Sequence, residues 1–171
     1  IKPLPNLEFK FVCANSLIDL DQSGKVSLYG EDPELENKLR NIRDAYFNTE
    51  SLNKKKKLRN DYDQLVSVGP SIFGDESEKS KQLKTYRPFD NESSASFFNP
   101  EFMFGVKKYD VVIGNPPYIK EYTNKDAFNG LRKSPYYQGK MDLWYMFSCR
   151  FIDLIKEGGV ECFIAQNNWV T

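Results

Sequence analysis

The run Asn115-Pro116-Pro117-Tyr118 holds the residue types in this chain best suited to chemistry. Two consecutive prolines fix φ near about −65° and remove two N–H donors, which leaves backbone carbonyls beside the Asn115 side-chain oxygen. Such a rigid row of acceptors suits a ligand with an exocyclic NH2 group, because two acceptors take both protons and orient the nitrogen lone pair toward an electrophile. Tyr118 adds a flat ring for stacking a planar group. The alternative interpretation is a strand-terminating turn with a packed tyrosine.

The composition excludes several other kinds of chemistry. None of the 171 residues is histidine, so a Ser-His-Asp triad, a Cys-His pair and every histidine-ligated metal site are excluded, and we predict no metal site. The 24 basic and 24 acidic side chains give zero net charge, so a nucleic acid or an anionic membrane must be held by a local basic patch. The three cysteines are expected to be reduced and buried.

No apolar run approaches the roughly 18 residues that a membrane span requires, and no signal pattern opens the chain. The sequence therefore predicts a cytoplasmic protein with no membrane partner.

The Asn-Pro-Pro-Tyr run needs a strand to position it, and residues 109–114 provide a β-branched run typical of a strand buried on both faces. Open α/β sheets bind their ligands at the carboxyl end of such strands. Before this strand we expect a strand over residues 7–13, one long helix or a helical hairpin over 32–66, and a polar loop over 69–99. After it we expect a mobile loop over 119–140, a helix over 142–156 and a strand over 160–165. Asp142 is expected to cap the helix, and residues 157–159 are expected to stop it. This order predicts an α/β fold with a parallel sheet and crossover helices.

Two segments concentrate positive charge. Residues 54–57 are four consecutive lysines followed by Arg59, and they suit either phosphate contact or a solvated helix face. Residues 119–140 carry five basic and two acidic side chains interleaved with aromatic ones.

Several stretches resemble the gamma-type N6-adenine DNA methyltransferases, especially the large enzymes of restriction-modification systems. Residues 110–119, DVVIGNPPYI, are very similar to that family's catalytic motif and its preceding strand. Residues 11–18 resemble its third motif, with Ala14 where glycine is common. Residues 88–90 and 98–103 resemble the segment before the catalytic strand, and residues 142–147 and 158–169 resemble the helix and strand that follow it. The resemblance covers most of the chain outside residues 32–66.

The resemblance implies part of a Rossmann-like, S-adenosylmethionine-dependent methyltransferase sheet with a helical insertion. The implied reaction transfers a methyl group from S-adenosylmethionine to N6 of an adenine flipped out of double-stranded DNA. In the catalytic run Asn115-Pro116-Pro117-Tyr118, the Asn115 side-chain oxygen and the Pro116 carbonyl accept hydrogen bonds from N6, and Tyr118 stacks on the base. Asn15 and Phe147 match cofactor-binding positions, with a turn cap and core packing as their respective alternatives.

For DNA contact, the basic and aromatic loop supplies the candidates Lys120, Tyr122, Lys133 and Lys140. The glycine-rich cofactor motif and the target-recognition domain of the family have no counterpart in the sequence. Residues 1–171 are therefore expected to be a partial catalytic domain, with residues 32–66 as an inserted arm, 69–99 as a polar loop and 106–171 as the catalytic strand, helix and strand. Alone, this chain is expected to bind the cofactor weakly or not at all and to be inactive.

Two alternative functions remain open at this point. One is a methyltransferase acting on protein glutamine or on RNA, because the Asn-Pro-Pro-Tyr run indicates only that a planar NH2 group is methylated. The other is a non-catalytic DNA-binding module. The recognised DNA sequence, a fused endonuclease and the oligomeric state are likewise undetermined by the sequence.

Overall fold

The computed structural model describes residues 9–22, 32–68 and 76–167. The chain divides into two compact units. Unit 1 comprises Ile1–Asn15 and Asp19–Gly105, and unit 2 comprises Ser16–Ile18 and Val106–Thr171.

Unit 1 is built on a helical hairpin. Helices α1 (Asp32–Phe47) and α2 (Leu52–Ser67) pack against each other, so of the two predicted alternatives for this segment the hairpin is the one that forms. The helices are separated by a short break in which Ser51 is the N-cap of α2, its side chain accepting from the Lys54 backbone N–H at 3.4 Å. A serine hydroxyl favours such a position because it satisfies an N–H that lacks an intrahelical partner.

Two further helices lie in unit 1, and the first corrects the prediction of a polar loop over residues 69–99. Helix α3 (Glu78–Thr85) begins at a Ser77 cap, and helix α4 (Pro100–Phe104) follows an Asn99 cap. Gln82 on α3 is buried, and both polar atoms of its amide are hydrogen-bonded. Its Oε1 accepts from the Asp21 N–H at 2.7 Å, and its Nε2 donates to the Asp19 carbonyl at 3.1 Å. Because polar contacts anchor this helix, its sequence lacks the periodic apolar residues from which a helix is predicted. Residues 69–75 lie outside the described residues.

The core of unit 1 is an aromatic cluster around Phe9, whose side chain is fully buried. Its ring lies within 5.2–6.5 Å, centroid to centroid, of five others: Tyr46, Phe47, Tyr62, Tyr86 and Phe89. Most of these pairs meet edge to face or tilted, the arrangements that aromatic quadrupoles favour. The cluster joins both hairpin helices to the segment that follows α3.

The strand predicted over residues 7–13 is wrong for the part that the structure describes. Phe9 lies in a turn, and the segment pairs only through one parallel bridge between Ala14 and Ala95. Two backbone hydrogen bonds of 2.9 Å make this bridge, from the Asn15 N–H to the Ala95 carbonyl and from the Ala95 N–H to the Cys13 carbonyl. Residues 7 and 8 lie outside the described residues.

Unit 2 contains strands β1 (Tyr109–Gly114) and β2 (Ile155–Phe163), which pair in parallel, with helix α5 (Leu143–Ile152) between them in the chain. This confirms the predicted strand over residues 109–114, the parallel pairing and the crossover helix.

The prediction that β1 is buried on both faces is wrong. Val111 is 56% exposed and Ile113 is 79% exposed, and their partners on β2, Val160 and Cys162, are exposed with them. Among the described residues the sheet has two strands, and α5 covers the opposite face, where the rings of Phe151 and Phe163 meet at 6.0 Å.

The boundary between α5 and β2 also differs from the prediction. The helix ends at Ile152 rather than at residue 156, and β2 begins at Ile155 rather than at 160. Gly158 and Gly159, expected to stop the helix, form a bulge inside the strand, since Tyr109 pairs with Ile155 but Val111 pairs with Val160. Gly158 has φ of +77°, a left-handed conformation that glycine adopts without strain.

Residues 119–140 form an irregular segment, in agreement with the predicted loop, and part of it is packed in unit 2; the mobility of the segment stays a prediction. The segment contains a short 3-10 helix, Asp126–Phe128, and it buries Phe128 and Leu131 in a cluster with residues of α5 and of segment 16–18. The buried members of this cluster are Leu17, Phe128, Leu131, Leu143 and Met146.

The prediction of buried cysteines is wrong as well, because Cys13, Cys149 and Cys162 are all free and exposed. Within the described ranges, no helix combines the length and the apolar character needed to cross a bilayer.

Candidate functional site

The Asn-Pro-Pro-Tyr loop leaves the sheet at the carboxyl end of β1, as the sequence predicts. Its backbone is fixed by the neighbouring strand, since the Ile164 N–H donates to the Gly114 carbonyl at 3.1 Å just beyond the last pair of the ladder. Gly114 lets the Phe163 ring approach closely, because a Cβ at this position would lie 2.9 Å from Cε1 of Phe163 and that ring would have to shift. The register of β2 against β1 therefore decides where the loop begins.

Within the loop, burial distinguishes Pro116 from its three neighbours. Pro116 is buried, whereas Asn115, Pro117 and Tyr118 are exposed. The Asn115 amide and the Tyr118 ring are therefore accessible on a loop whose backbone the prolines stiffen. This is an arrangement that can receive a planar ligand carrying an amino group.

The Tyr118 hydroxyl connects this loop to the end of β2. Its oxygen lies 2.5 Å from the Ile164 carbonyl oxygen and 3.1 Å from Oδ1 of Asn115. A phenol has a single proton to donate, and the shorter contact is to Ile164. The Asn115 oxygen thus keeps capacity to accept from a ligand, while the outer end of the tyrosine side chain is held at the end of β2.

Downstream, the loop is paired with the segment that enters α5. The Leu143 N–H donates to the Ile119 carbonyl at 2.8 Å, and the Glu121 N–H donates to the Met141 carbonyl at 3.0 Å. These bonds flank an antiparallel bridge between Lys120 and Asp142. The Asn-Pro-Pro-Tyr loop is therefore anchored on both sides, by β1 before it and by this bridge after it.

Asp142 only partly meets its prediction. It occupies the N-cap position of α5, but its side chain makes no capping hydrogen bond. The carboxylate is buried, and in the part of the chain that the structure describes neither oxygen has a hydrogen-bond partner. The carboxylate is therefore buried beside the segment of Lys120, with which Asp142 pairs, and does not cap the helix.

Of the four nucleic-acid candidates, the structure brings two into direct contact. Nζ of Lys120 lies 5.9 Å from the centroid of the Tyr122 ring, and both side chains are exposed. Lys140 is held through its backbone, whose N–H donates to Oε2 of Glu121 at 3.0 Å. Lys133 is exposed and, among the described residues, makes no hydrogen bond or ion pair.

Glu121 organises this loop electrostatically. The Tyr137 hydroxyl donates to its carboxylate at 2.8 Å, and Nε of Arg132 donates at 3.0 Å. The hydrogen bond from Tyr137, reinforced by Arg132, holds the pKa of Glu121 below its ordinary value of 4.5. The carboxylate neutralises part of the positive charge that the sequence places in this segment.

The two cofactor candidates lie in different units. In unit 1, Asn15 is exposed and its backbone N–H donates to Ala95. In unit 2, Phe147 is partly buried, stacks on Phe151 at 6.3 Å and packs against the cluster around Phe128. The contacts of Phe147 agree with its core-packing alternative. The described ranges hold no cluster of three or more metal-ligating side chains.

The sequence did not reveal three contributors to the site: the Ile164 carbonyl, the Phe163 ring beside Gly114, and the buried Asp142 carboxylate. A backbone carbonyl has no residue signature, and its place depends on strand register. The Gly114 in front of Asn115 was a usable signal for a close approach by a neighbouring group.

No curated protein matches the sequence. The family described as Eco57I restriction-modification methylase matches over residues 13–171, a range that includes both helices of the hairpin, the Asn-Pro-Pro-Tyr loop and the whole of unit 2 after it. Since this range is most of the sequence, the chain belongs to the Eco57I restriction-modification methylase family.

Proposed function

We propose that this chain carries the catalytic loop of a DNA methyltransferase that methylates N6 of adenine with S-adenosylmethionine as methyl donor. The observation that supports it most is the stiff loop at the carboxyl end of β1, which presents the exposed Asn115 amide and the exposed Tyr118 ring together. Membership of a restriction-modification methylase family supports DNA as the substrate. The parallel β1–α5–β2 unit is then part of a Rossmann-like sheet.

In this proposal, Asn115 and Pro116 activate the nitrogen that is methylated. The Asn115 Oδ1 and the Pro116 carbonyl accept hydrogen bonds from the two N6 protons. Acceptors placed in this way favour a pyramidal nitrogen whose lone pair is directed away from the ring, and they stabilise the positive charge that develops as the new N–C bond forms. The methylated nitrogen then loses one proton to solvent.

Tyr118 holds the base. An adenine within a duplex is not accessible to this loop, so it must be flipped out, at a cost of a few kcal/mol. The Tyr118 ring, 39% exposed, offers a stacking surface of the kind that repays about 1–3 kcal/mol per base. Its hydroxyl bond to the Ile164 carbonyl holds the outer end of the side chain in place before the base arrives.

Asn15 and Phe147 are the residues of this chain that we assign to the cofactor. An amide both donates and accepts, which fits the edge of a purine, and the partly buried Phe147 ring offers an apolar surface. When bound, S-adenosylmethionine would supply the methyl group from its sulfonium sulfur, which would keep the electron pair of the broken S–C bond and leave as a neutral thioether. Lys120, Tyr122, Lys133 and Lys140 are proposed to contact the DNA.

The Asn115→Ala variant of the full-length protein tests the proposal. We expect methylation of duplex DNA to fall by about 10²–10³-fold, the usual effect of removing one group that stabilises a transition-state charge. DNA affinity and thermal stability are expected to stay close to wild type, because the Asn115 side chain is exposed. Undiminished methylation by this variant would contradict the catalytic role.

A matched pair of variants at Tyr118 separates ring from hydroxyl. Tyr118→Phe keeps the stacking surface, so it is expected to retain more activity than Tyr118→Ala. Equal losses in the two variants would mean that the hydroxyl contacts, rather than stacking, matter. Analysis of the methylated product distinguishes N6-methyladenine in DNA from methylated RNA or glutamine.

A further inference from the structure

Helix α2 carries five basic and two acidic side chains, and the structure sorts the basic ones into two sets. Lys55 and Arg59 cover the aromatic cluster of unit 1. Nζ of Lys55 lies 5.8 Å from the Tyr46 ring centroid, and the Arg59 guanidinium lies 5.4 Å from the Phe89 ring centroid. Arg59 also donates to the Phe89 carbonyl at 3.2 Å. These two side chains have a structural role.

The second set, Lys54, Lys56 and Lys57, has none. All three are exposed, and within the described residues none forms a hydrogen bond through its ammonium group or an ion pair. The lysines of α1 and α3 differ, because each has a carboxylate partner. The pairs are Lys38–Glu34 at 2.7 Å, Lys79–Glu36 at 2.5 Å, Lys81–Glu78 at 3.8 Å and Lys84–Glu76 at 2.5 Å.

Helical periodicity places Lys56 and Lys57 on an exposed face whose own members carry no carboxylate. Asp61, four residues after Lys57, and Asp63, which pairs with Arg59 at 3.9 Å, lie at its edges and are partly buried. Residues three and four apart on a helix are neighbours. The exposed members that follow this spacing are Asn53, Lys56, Lys57, Asn60 and Gln64, which we call the α2 donor face. Every one of these side chains has N–H groups to donate, and the face extends over about 16 Å at about 1.5 Å per residue.

The cluster is not explained by helix stability. Cations near a helix N-terminus meet the positive end of the helix dipole, and like charges three residues apart repel each other. The first turn of α2 contains no acidic residue to offset this. An anionic partner relieves both effects.

We propose that the α2 donor face contacts the phosphates of duplex DNA without regard to sequence. The choice of DNA rests on the proposed function. Lysines and side-chain amides are donors typical of protein–phosphate contacts, and such contacts position the duplex without reading bases. The face would thus add affinity for DNA in a part of the chain separate from the Asn-Pro-Pro-Tyr loop.

The test compares two double variants of the full-length protein. Lys56→Gln with Lys57→Gln removes two charges from the donor face, and Lys38→Gln with Lys81→Gln removes two exposed lysines that already have carboxylate partners. Affinity for duplex DNA is measured between about 50 mM and 200 mM salt, with and without a methylation site. Each lost phosphate contact lowers the log–log salt slope by about 0.9.

For the donor-face variant we expect the slope to fall by about 1.8, so that its affinity deficit relative to wild type shrinks about tenfold across this salt range. The control variant is expected to keep the wild-type slope, and both DNAs should behave alike. Thermal stability of both variants, measured by circular dichroism, should stay near wild type.

Three results would overturn the inference: an unchanged slope for the donor-face variant, an equal change in the control, or a loss confined to DNA containing the methylation site. A larger loss of affinity for single-stranded RNA than for duplex DNA would also overturn it. All these results are measurements of binding affinity. The proposed function is tested by a different measurement, the methylation activity of Asn115→Ala, so the two can fail independently. Absence of any DNA binding by the wild-type protein would contradict both.

Discussion

The aromatic cluster of unit 1 and the two-stranded sheet of unit 2 differ in how far they bury their apolar side chains. In unit 1 the aromatic rings enclose one another, with Phe9 fully buried at the centre. In unit 2 the β-branched side chains of the sheet lie on an exposed face, where Ile113 and Val111 are open to solvent. The difference shows that an apolar run predicts a strand more reliably than it predicts what covers that strand.

The same difference bears on how the candidate site is held. The Asn-Pro-Pro-Tyr loop depends little on a large core. It depends on backbone bonds at the end of the sheet, on the Tyr118 contact with Ile164 and on the short bridge between Lys120 and Asp142. Unit 1 is stabilised by side-chain packing, whereas the site in unit 2 is positioned mainly by strand register and close backbone approach.

Truncation of Phe9 is expected to have the largest effect on stability. Phe9→Ala removes a ring that contacts five others and should lower the free energy of unfolding by about 3–5 kcal/mol. Ile113→Ala, on the exposed sheet face, should change it by less than about 0.5–1 kcal/mol. Urea unfolding of the 171-residue chain, followed by far-ultraviolet circular dichroism, measures both.

Two outcomes of this experiment would contradict the difference between the aromatic cluster of unit 1 and the sheet of unit 2. If Ile113→Ala destabilised the chain as much as Phe9→Ala, the sheet face would have to be covered in solution. If Phe9→Ala were nearly neutral, the aromatic cluster would not be the core of unit 1.

The glycine pair in β2 should show an intermediate effect of a different origin. A Cβ on Gly159 would lie 2.8 Å from the Asp110 carbonyl oxygen and 2.5 Å from Cγ2 of Ile155, so Gly159→Ala should cost about 1–3 kcal/mol through overpacking. Gly158 has open space around its Cβ position but a positive φ. Gly158→Ala should therefore cost about 1–2 kcal/mol through backbone strain alone.

Replacement by asparagine separates the two causes. Asparagine tolerates the left-handed region, so Gly158→Asn should recover part of the loss seen in Gly158→Ala, whereas Gly159→Asn should be no better than Gly159→Ala. Recovery at Gly159 instead would argue against the close approach to Asp110. Thermal unfolding of the four variants provides the measurement.

The sequence was sufficient for features that are local. The β-branched run of residues 109–114 and the two prolines after Asn115 predicted a strand that ends in a loop, and both form. These depend on intrinsic preferences of a few neighbouring residues, which tertiary context did not override.

What the sequence did not predict depends on distant partners. Helix α3 is anchored by hydrogen bonds between Gln82 and a segment about sixty residues earlier, so no periodic pattern of apolar residues marks it. Gly158 and Gly159 have the composition of a helix stop, but their role in a bulge follows from pairing with β1. The contact between Tyr118 and Ile164 likewise requires the register of two strands.

The smallest expected effect concerns how each unit responds to acid. In unit 1, burial raises the pKa of Glu36, but hydrogen bonds from Lys79 and Arg40 outweigh it and leave that pKa lowered. In unit 2, the hydrogen bond from Tyr137, with the help of Arg132, lowers the pKa of Glu121. A lowered pKa means that the ionised carboxylate stabilises the folded state above its unfolded pKa, and that this stabilisation is lost as the pH falls through the folded pKa.

Tyr137→Phe should therefore move the pKa of Glu121 back up toward 4.5 and reduce the stability that unit 2 loses on acidification. Tyr136→Phe is the matched control, since it removes a neighbouring hydroxyl that donates to Asp153 at 2.6 Å and not to Glu121. Trp144 is buried in unit 2, so its fluorescence during urea unfolding at neutral and acidic pH reports on that unit. An acid response in Tyr137→Phe identical to that of wild type would mean that the Glu121 network does not stabilise the loop, and that the cluster around Phe128 alone holds residues 119–140 in place.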